Sequence, residues 1–179
     1  MDTQGRKRQH NKPDFDCVGI LGSGTMGSGI ALSALLANLK VVLYDLESAY
    51  LDRAAEYIEG HLRKKQRLIS MKYLQMTTSL DSLNGCGYII EAVPEELTIK
   101  QDLFSRLSKI CPPPSVLATN TSTLSVTAIG SAAQNPARVA GMHFFNPAPV
   151  MPLVEIVRGA LTSQETMDAL IQLGKKLGK

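Results

Sequence analysis

Tryptophan is absent from the 179 residues, aromatic residues make up only 5%, and histidine occurs three times. Any core must therefore be largely aliphatic. Cysteine is equally scarce: Cys17, Cys86 and Cys111 are odd in number, widely spaced and form no C-x-x-C pair. That pattern argues against a disulfide framework or a metal site and reads as buried thiols in a reducing compartment. No run reaches 18 uninterrupted apolar residues, so no membrane-spanning helix is expected. Net charge is missing from most of the chain, because Arg6, Lys7, Arg8 and Lys12 against Asp2 account for the whole formal excess of +3. The remainder is neutral overall, which removes the charge argument for a nucleic-acid surface.

What is present suits one packed domain. Hydrophobic residues make up 44%, enough for a single core and inconsistent with global disorder. Residues 1–14, rich in Gly, Gln, Asn and basic side chains, read as a disordered tail with no apolar stretch for a secretory signal, and residues 15–179 as the folded domain. Asp2 and the lack of an Arg/Ser amphipathic helix make an organellar presequence a poor fit, and a cytoplasmic location is expected.

Apolar runs predict strands at Cys17–Leu21, Val41–Tyr44, Tyr88–Val93, Val116–Thr119, Val139–Phe144 and Leu153–Val157. Helices are expected at Ile30–Leu39, Ser48 to about Lys65, Thr98–Ile110, Ser125–Ser131 and Ser163–Leu177, with Thr98 and Ser163 as N-caps. Strands alternating with helices imply an α/β fold with a doubly wound, mostly parallel sheet of Rossmann type. The charges of the second helix and the basic run through Arg63, Lys64, Lys65, Arg67 and Lys72 read as a solvated face, with contact to an anionic ligand as the alternative.

Gly22-Ser23-Gly24-Thr25-Met26-Gly27 is G-x-G-x-x-G between a predicted strand and a predicted helix. Gly22 permits the tight turn, Gly24 lets the backbone approach a pyrophosphate, and Gly27 lets the helix pack on the sheet. The helix N-terminus supplies N–H groups to phosphates. Asp45 ends the second strand, 18 residues after Gly27. A carboxylate there accepts hydrogen bonds from ribose hydroxyls and repels a 2′-phosphate, so NAD is expected as cofactor, not NADP.

Three other strand ends carry polar groups: Glu91-Ala92-Val93-Pro94-Glu95-Glu96, Asn120-Thr121-Ser122-Thr123 and His143-Phe144-Phe145-Asn146. In an open parallel sheet such ends converge on the ligand crevice. Glu155 interrupts Leu153-Val154-Glu155-Ile156-Val157, a strand otherwise apolar on both faces, where a carboxylate needs a partner. His143, joined to it through Pro147, Pro149 and Pro152, is the nearest candidate. A carboxylate on one imidazole nitrogen fixes the tautomer and leaves the other nitrogen to take a proton. Periodicity alone leaves open a histidine satisfied by backbone groups and an edge-strand glutamate facing water.

The combination G-S-G-T-M-G, E-A-V-P-E-E-L-T-I-K, A-T-N-T-S-T-L and H-F-F-N-P-A-P-V-M-P-L-V-E-I-V resembles the NAD-binding domain of 3-hydroxyacyl-CoA dehydrogenases over about residues 15–179. The resemblance implies that His143 and Glu155 form a catalytic dyad and that Ser122 holds the reacting oxygen. It places Asn120, Glu95 and Lys100 along the nicotinamide half of the cofactor site and Asn146 beside it, while Gly22, Gly24, Thr25, Met26, Gly27, Asp45 and Ala92 line the rest. It implies reversible oxidation of an (S)-3-hydroxyacyl-CoA to a 3-oxoacyl-CoA, as in fatty acid β-oxidation or butyrate-type metabolism. The partner is an acyl-CoA thioester, not nucleic acid or membrane.

Members of the family continue into a helical second domain that completes the acyl site and makes most of a homodimer interface. Lys179 falls where that domain is expected to begin, so the helical domain is absent from the expected fold, and the chain's own oligomeric state is left open. Pro152 stands where the family commonly has Lys. Two other readings stand beside the dehydrogenase: an NAD-binding module without turnover, and a dehydrogenase of free 3-hydroxy acids. The β-hydroxyacid dehydrogenases with a lysine in place of the histidine fit less well, because they lack the H-F-F-N-P-x-P segment.

Overall fold

A computed structural model of the chain describes residues 12–179. The expected tail falls mostly on residues 1–11, outside the described residues. Its boundary moves, because Asp14 is already the first residue of strand β1 (Asp14–Leu21) and donates its N–H to Gly85 O.

The elements alternate as the apolar runs imply. After β1 come α1 (Thr25–Leu36), β2 (Lys40–Tyr44), α2 (Ser48–Lys64), β3 (Leu74–Thr77), β4 (Cys86–Glu91) and α3 (Leu97–Ile110). They are followed by β5 (Val116–Thr119), α4 (Val126–Gly130), β6 (Val139–Phe144), β7 (Val154–Val157) and α5 (Gln164–Lys176). The sheet order is β3-β2-β1-β4-β5-β6-β7, with every pair parallel except β6 with β7. The first six strands have the doubly wound order of dinucleotide-binding folds, whose strand order reverses between β1 and β4.

Period-two alternation along the strands divides the interior in two. Val18, Ile20, Val41, Leu43, Tyr88, Ile90, Val116 and Ala118 pack with residues of α1, α2 and α5. Leu21, Val42, Ile89 and Leu117 pack on the other face with Phe104, Leu107 and Ile129. Both faces are covered, as a parallel sheet requires.

Several boundaries differ from expectation for physical reasons. Helix α1 spans Thr25–Leu36 and not Ile30–Leu39, because Asn38 takes a left-handed conformation, φ 62, and turns Leu39 back into the core. Strand β4 starts two residues early and stops at Glu91, whose carboxylate turns back to accept the Val93 N–H at 2.8 Å. Glu96, not Thr98, is the N-cap of α3; the Thr98 hydroxyl donates to Glu96 instead. Ser163 does cap α5, accepting from Thr166 N. Strand β3 had no counterpart in the sequence reading. Strand β7 is an antiparallel edge strand, not one buried on both faces, so the Glu155 side chain is 53% exposed.

Candidate active site

At the reversal point the chain leaves β1 through Gly22, whose φ of +89 is open to glycine and strained for other residues. Gly22 N–H donates to Tyr44 O at 2.9 Å, and Ala92 N–H to Leu21 O at 2.7 Å, which locks the turn to both neighbouring strands. A Cβ on Gly22 would lie 2.6 Å from Ala92 O and one on Gly27 only 1.8 Å from Gly22 O, whereas one on Gly24 would meet nothing within 4 Å. Gly22 and Gly27 are thus demanded by the fold itself. Gly24 is demanded by nothing inside the protein, and as N-cap of α1 it makes no side-chain cap bond. The first-turn N–H groups remain for an anion.

Asp45 follows β2 at the same rim. Its Oδ2 accepts from Ser23 N at 2.6 Å and Ser23 Oγ at 2.7 Å, and its Oδ1 accepts from Leu46 N at 2.7 Å. A carboxylate has about four acceptor directions, so one stays open for a hydroxyl. Ser23 ties the acid to the glycine turn, a role the sequence reading missed although Ser23 stands inside the motif. Gly22, Gly24, Thr25, Met26, Asp45 and Ala92 all line a cleft of about 1280 Å³ that continues past Tyr50, Arg53 and Arg106. Arg53 is exposed, as a solvated helix face requires, and also borders this cleft beside the Tyr50 ring, 4.9 Å from its centre. The basic run does not reach this cleft: Arg63 pairs with Glu59 at 2.6 Å, and Arg67 donates to Asn38 Oδ1 at 2.6 Å, at the opposite end of the strands.

The other half of the rim rests on a buried charge cluster. Lys100, 1% exposed, donates to Glu91 Oε1 at 2.6 Å and to Val93 O at 3.2 Å, and lies 3.2 Å from Glu95 Oε2. Glu91 is fully buried and takes a further bond from Thr119 Oγ1 at 2.7 Å. Lys100 therefore sits beneath the rim and does not line it. Glu95 reaches across to the loop after β5, where its Oε1 accepts from the Thr121 hydroxyl, from Ser122 N at 3.1 Å and from Thr123 N at 3.2 Å. Burial pushes the Glu95 carboxyl up, but the bonds from Thr121, Lys100 and Thr123 outweigh it and hold the group down to about 2. This carboxylate fixes the segment that presents the exposed Ser122.

Asn120 joins the neighbouring ends. Its N–H donates to Glu91 O, and its Oδ1 accepts from Phe144 N, both at 2.8 Å, which leaves its amide NH2 toward solvent chemistry. His143 and Glu155 are register partners across β6 and β7, and His143 Nδ1 lies 2.8 Å from Glu155 Oε2. An ionised carboxylate only accepts, so Nδ1 carries the proton and Nε2 holds the free lone pair. The Phe145 ring packs 4.7 Å from the imidazole. Asn146 is exposed at the start of the connection to β7. That connection is held from an unforeseen direction: Lys179 Nζ donates to Ala148 O at 2.6 Å and Met151 O at 2.8 Å.

The family profile described as 3-hydroxyacyl-CoA dehydrogenase, NAD binding domain, matches residues 17–179. The chain belongs to this family. It is 42% identical over 173 residues to the 3-hydroxyadipyl-CoA dehydrogenase of Escherichia coli K12, covering 90% of this chain and 36% of that one. It is 40% identical over 169 residues to a probable 3-hydroxybutyryl-CoA dehydrogenase of Deinococcus radiodurans, covering 90% and 61%. A crystal structure of 3-hydroxybutyryl-CoA dehydrogenase from E. coli K12 superposes with a TM-score of 0.90 at 40% identity, covering 93% of this chain and 37% of that one. The chain thus spans between about a third and three fifths of the length of these relatives. NAD, the cofactor of this family domain, fits the residues present: open backbone at Gly24, uncapped N–H groups behind it, and an acid at the end of β2.

Proposed function

We propose that this chain is the cofactor-binding and proton-transferring part of an NAD-dependent dehydrogenase that interconverts (S)-3-hydroxyacyl-CoA and 3-oxoacyl-CoA. The observation that carries this reading is the 2.8 Å His143–Glu155 pair at the same end of the sheet as the dinucleotide cleft. When bound, NAD supplies the hydride acceptor. His143 Nε2 takes the proton of the substrate hydroxyl in oxidation and returns it in reduction. Glu155 keeps Nδ1 protonated, orients the ring and stabilises the imidazolium that forms. Ser122, held by Glu95, donates to the reacting oxygen, and the Asn120 and Asn146 amides flank the nicotinamide position. These groups act by positioning and proton management, since the redox chemistry belongs to the cofactor.

The test is NADH consumption with acetoacetyl-CoA by the purified chain. His143→Gln and Glu155→Gln are each expected to lower turnover by ~10²-fold or more, with NADH affinity unchanged. Full turnover in either variant overturns the dyad. A second reading is an NAD-binding module without turnover. NADH binding without acetoacetyl-CoA reduction decides for it, and free 3-hydroxy acids assayed alongside test the remaining alternative. Homodimerisation, expected of full-length relatives, is tested by sedimentation. A cytoplasmic location belongs to the same proposal and rests on the bacterial relatives; because a rice relative is named as peroxisomal, fractionation of cells is its test.

A further inference from the structure

The three thiols take no part in the chemistry above, yet two of them meet. Cys17 Sγ and Cys86 Sγ lie 3.4 Å apart on the adjacent parallel strands β1 and β4, at the end of those strands opposite Gly22 and Ala92. Cys86 is buried, and Cys17 is half-buried. The strand register explains the meeting. Asp14 pairs with Cys86 and Val18 with Tyr88, so four steps along β1 match two along β4 and the ladder is irregular between them. Gly87 permits this crowding, since a Cβ there would lie 2.7 Å from the Phe15 Cα. Gly19, whose added Cβ would stand 3.4 Å from Cys86 Sγ, leaves the sulfur pair its space.

We propose that Cys17 and Cys86 form a reversible dithiol–disulfide site that a small peroxide oxidises. A disulfide bond is about 2.05 Å long, so the sulfurs must close by about 1.4 Å. Cys17 and Val18 stay in register with Lys40 and Val41 of β2, but the ladder to β4 is irregular between Asp14 and Val18, so the Cys17 side chain and the strand edge facing β4 are able to supply that movement. The roles of the two thiols differ. Cys17 is the accessible one, and the bond donated by the Cys86 thiol favours its thiolate; the same bond together with burial pushes the Cys86 thiol up. Cys17 thiolate attacks one peroxide oxygen, an S–O bond forms as the O–O bond breaks, and the released hydroxide takes a proton to become water. Cys86 sulfur then attacks the Cys17 sulfur, an S–S bond forms as the S–O bond breaks, and the departing hydroxide leaves as water with the Cys86 proton. Two thiols are oxidised, and one hydrogen peroxide is reduced to two waters. Cys111, buried with its thiol on Leu83 O at 3.7 Å, stays reduced.

The test treats the reduced, desalted chain with hydrogen peroxide, then alkylates under denaturing conditions and measures intact and peptide masses. The expected result is one alkylated thiol where three were present, a cross-linked peptide pair joining Cys17 to Cys86, and full recovery of three thiols after dithiothreitol. Cys86→Ser is expected to yield a sulfenic acid on Cys17 that dimedone traps one for one. The proposal is overturned if all three thiols stay alkylatable under peroxide that consumes a free cysteine standard, or if the cross-link joins Cys86 to Cys111 or two chains. Mapping of the unaltered chain decides the pairing even where the variant fails to fold.

Discussion

Gly24→Ala separates the needs of the fold from those of the cofactor. The backbone at Gly24, φ −66 and ψ −169, is open to alanine, and the added methyl meets no atom within 4 Å. Replacing Gly by Ala where the backbone is compatible stabilises by about 0.4–1 kcal/mol through the unfolded chain. At an N-cap, however, Ala is worse than Gly by a similar amount. The two offset, and the melting temperature is expected within about 2 °C of the parent, since 1 kcal/mol is about 2–4 °C for a domain of this size. The methyl does occupy the path by which a pyrophosphate approaches the α1 N-terminus, so NADH affinity is expected to fall at least about tenfold, or 1.4 kcal/mol. Gly27→Ala is the contrast. Its methyl is driven to 1.8 Å from the Gly22 carbonyl oxygen, and backbone on both sides leaves nothing flexible to yield. A cost of about 3 kcal/mol or more lowers the melting temperature by about 6–12 °C. Differential scanning fluorimetry and NADH fluorescence titration measure both. A Gly24→Ala protein that binds NADH like the parent refutes the placement of the pyrophosphate, and one that melts far lower refutes the claim that the fold does not need this glycine.

Lys100→Met strands the fully buried Glu91 carboxylate, which is expected to cost about 3–5 kcal/mol and about 6–20 °C in melting temperature. Adding Glu91→Gln to it should recover part of the loss, and a single-variant shift under about 3 °C contradicts the buried pair. The Glu95 carboxyl is held down to about 2 against about 4.3 in an unfolded chain, so its contribution is complete above about pH 4.5 and disappears as pH falls through 2. Glu95→Gln should flatten the acid limb of stability in that window, and superimposable acid-unfolding curves followed by circular dichroism argue against the anchor. Lys179→Met removes two charge-assisted bonds to the turn before β7, for a loss of about 1–3 kcal/mol. Hydrogen exchange across residues 147–154 should quicken at least about tenfold, and unchanged protection there counts against the tether.

How far the fold was legible depended on how much each signal was local. The glycine turn, Asp45 and the strand runs of β2, β5 and β6 are short-range patterns and stand within one residue of expectation, whereas β1 begins three residues early. Strand β3 was not legible, because Leu74-Gln75-Met76-Thr77 is a short, half-exposed edge strand whose pairing with β2 is a tertiary fact. Lys100, which the resemblance sets along the nicotinamide half of the site, is buried, a placement not legible in the sequence for a related reason. A lysine at the first turns of an amphipathic helix reads as surface, and only the meeting of Glu91, Thr119 and Val93 beneath it shows why a charge can be buried there.

The His143–Glu155 contact forms for a different physical reason than the burial of a carboxylate in a two-faced strand. The apolar run around Glu155 predicts a strand buried on both faces, where a carboxylate is costly, yet the side chain is more than half exposed. The spacing of the two strands bears on it directly. Only residues 145–153 separate β6 from β7, and a parallel return needs a crossover of about a dozen residues or more. Nine are too few, so β7 must run antiparallel, and the chain must turn back at the crevice end of β6. An antiparallel return sets residues directly opposite one another and on the same face. With Phe144 opposite Val154, the next rung inward is His143 opposite Glu155. The pairing thus rests on an antiparallel return, which the short loop requires, and on the observed register. Inserting a single residue within β7, between Val154 and Glu155, is therefore expected to move Glu155 to the other face relative to Val154 and abolish turnover, while NADH binding at the β1–α1 turn is retained.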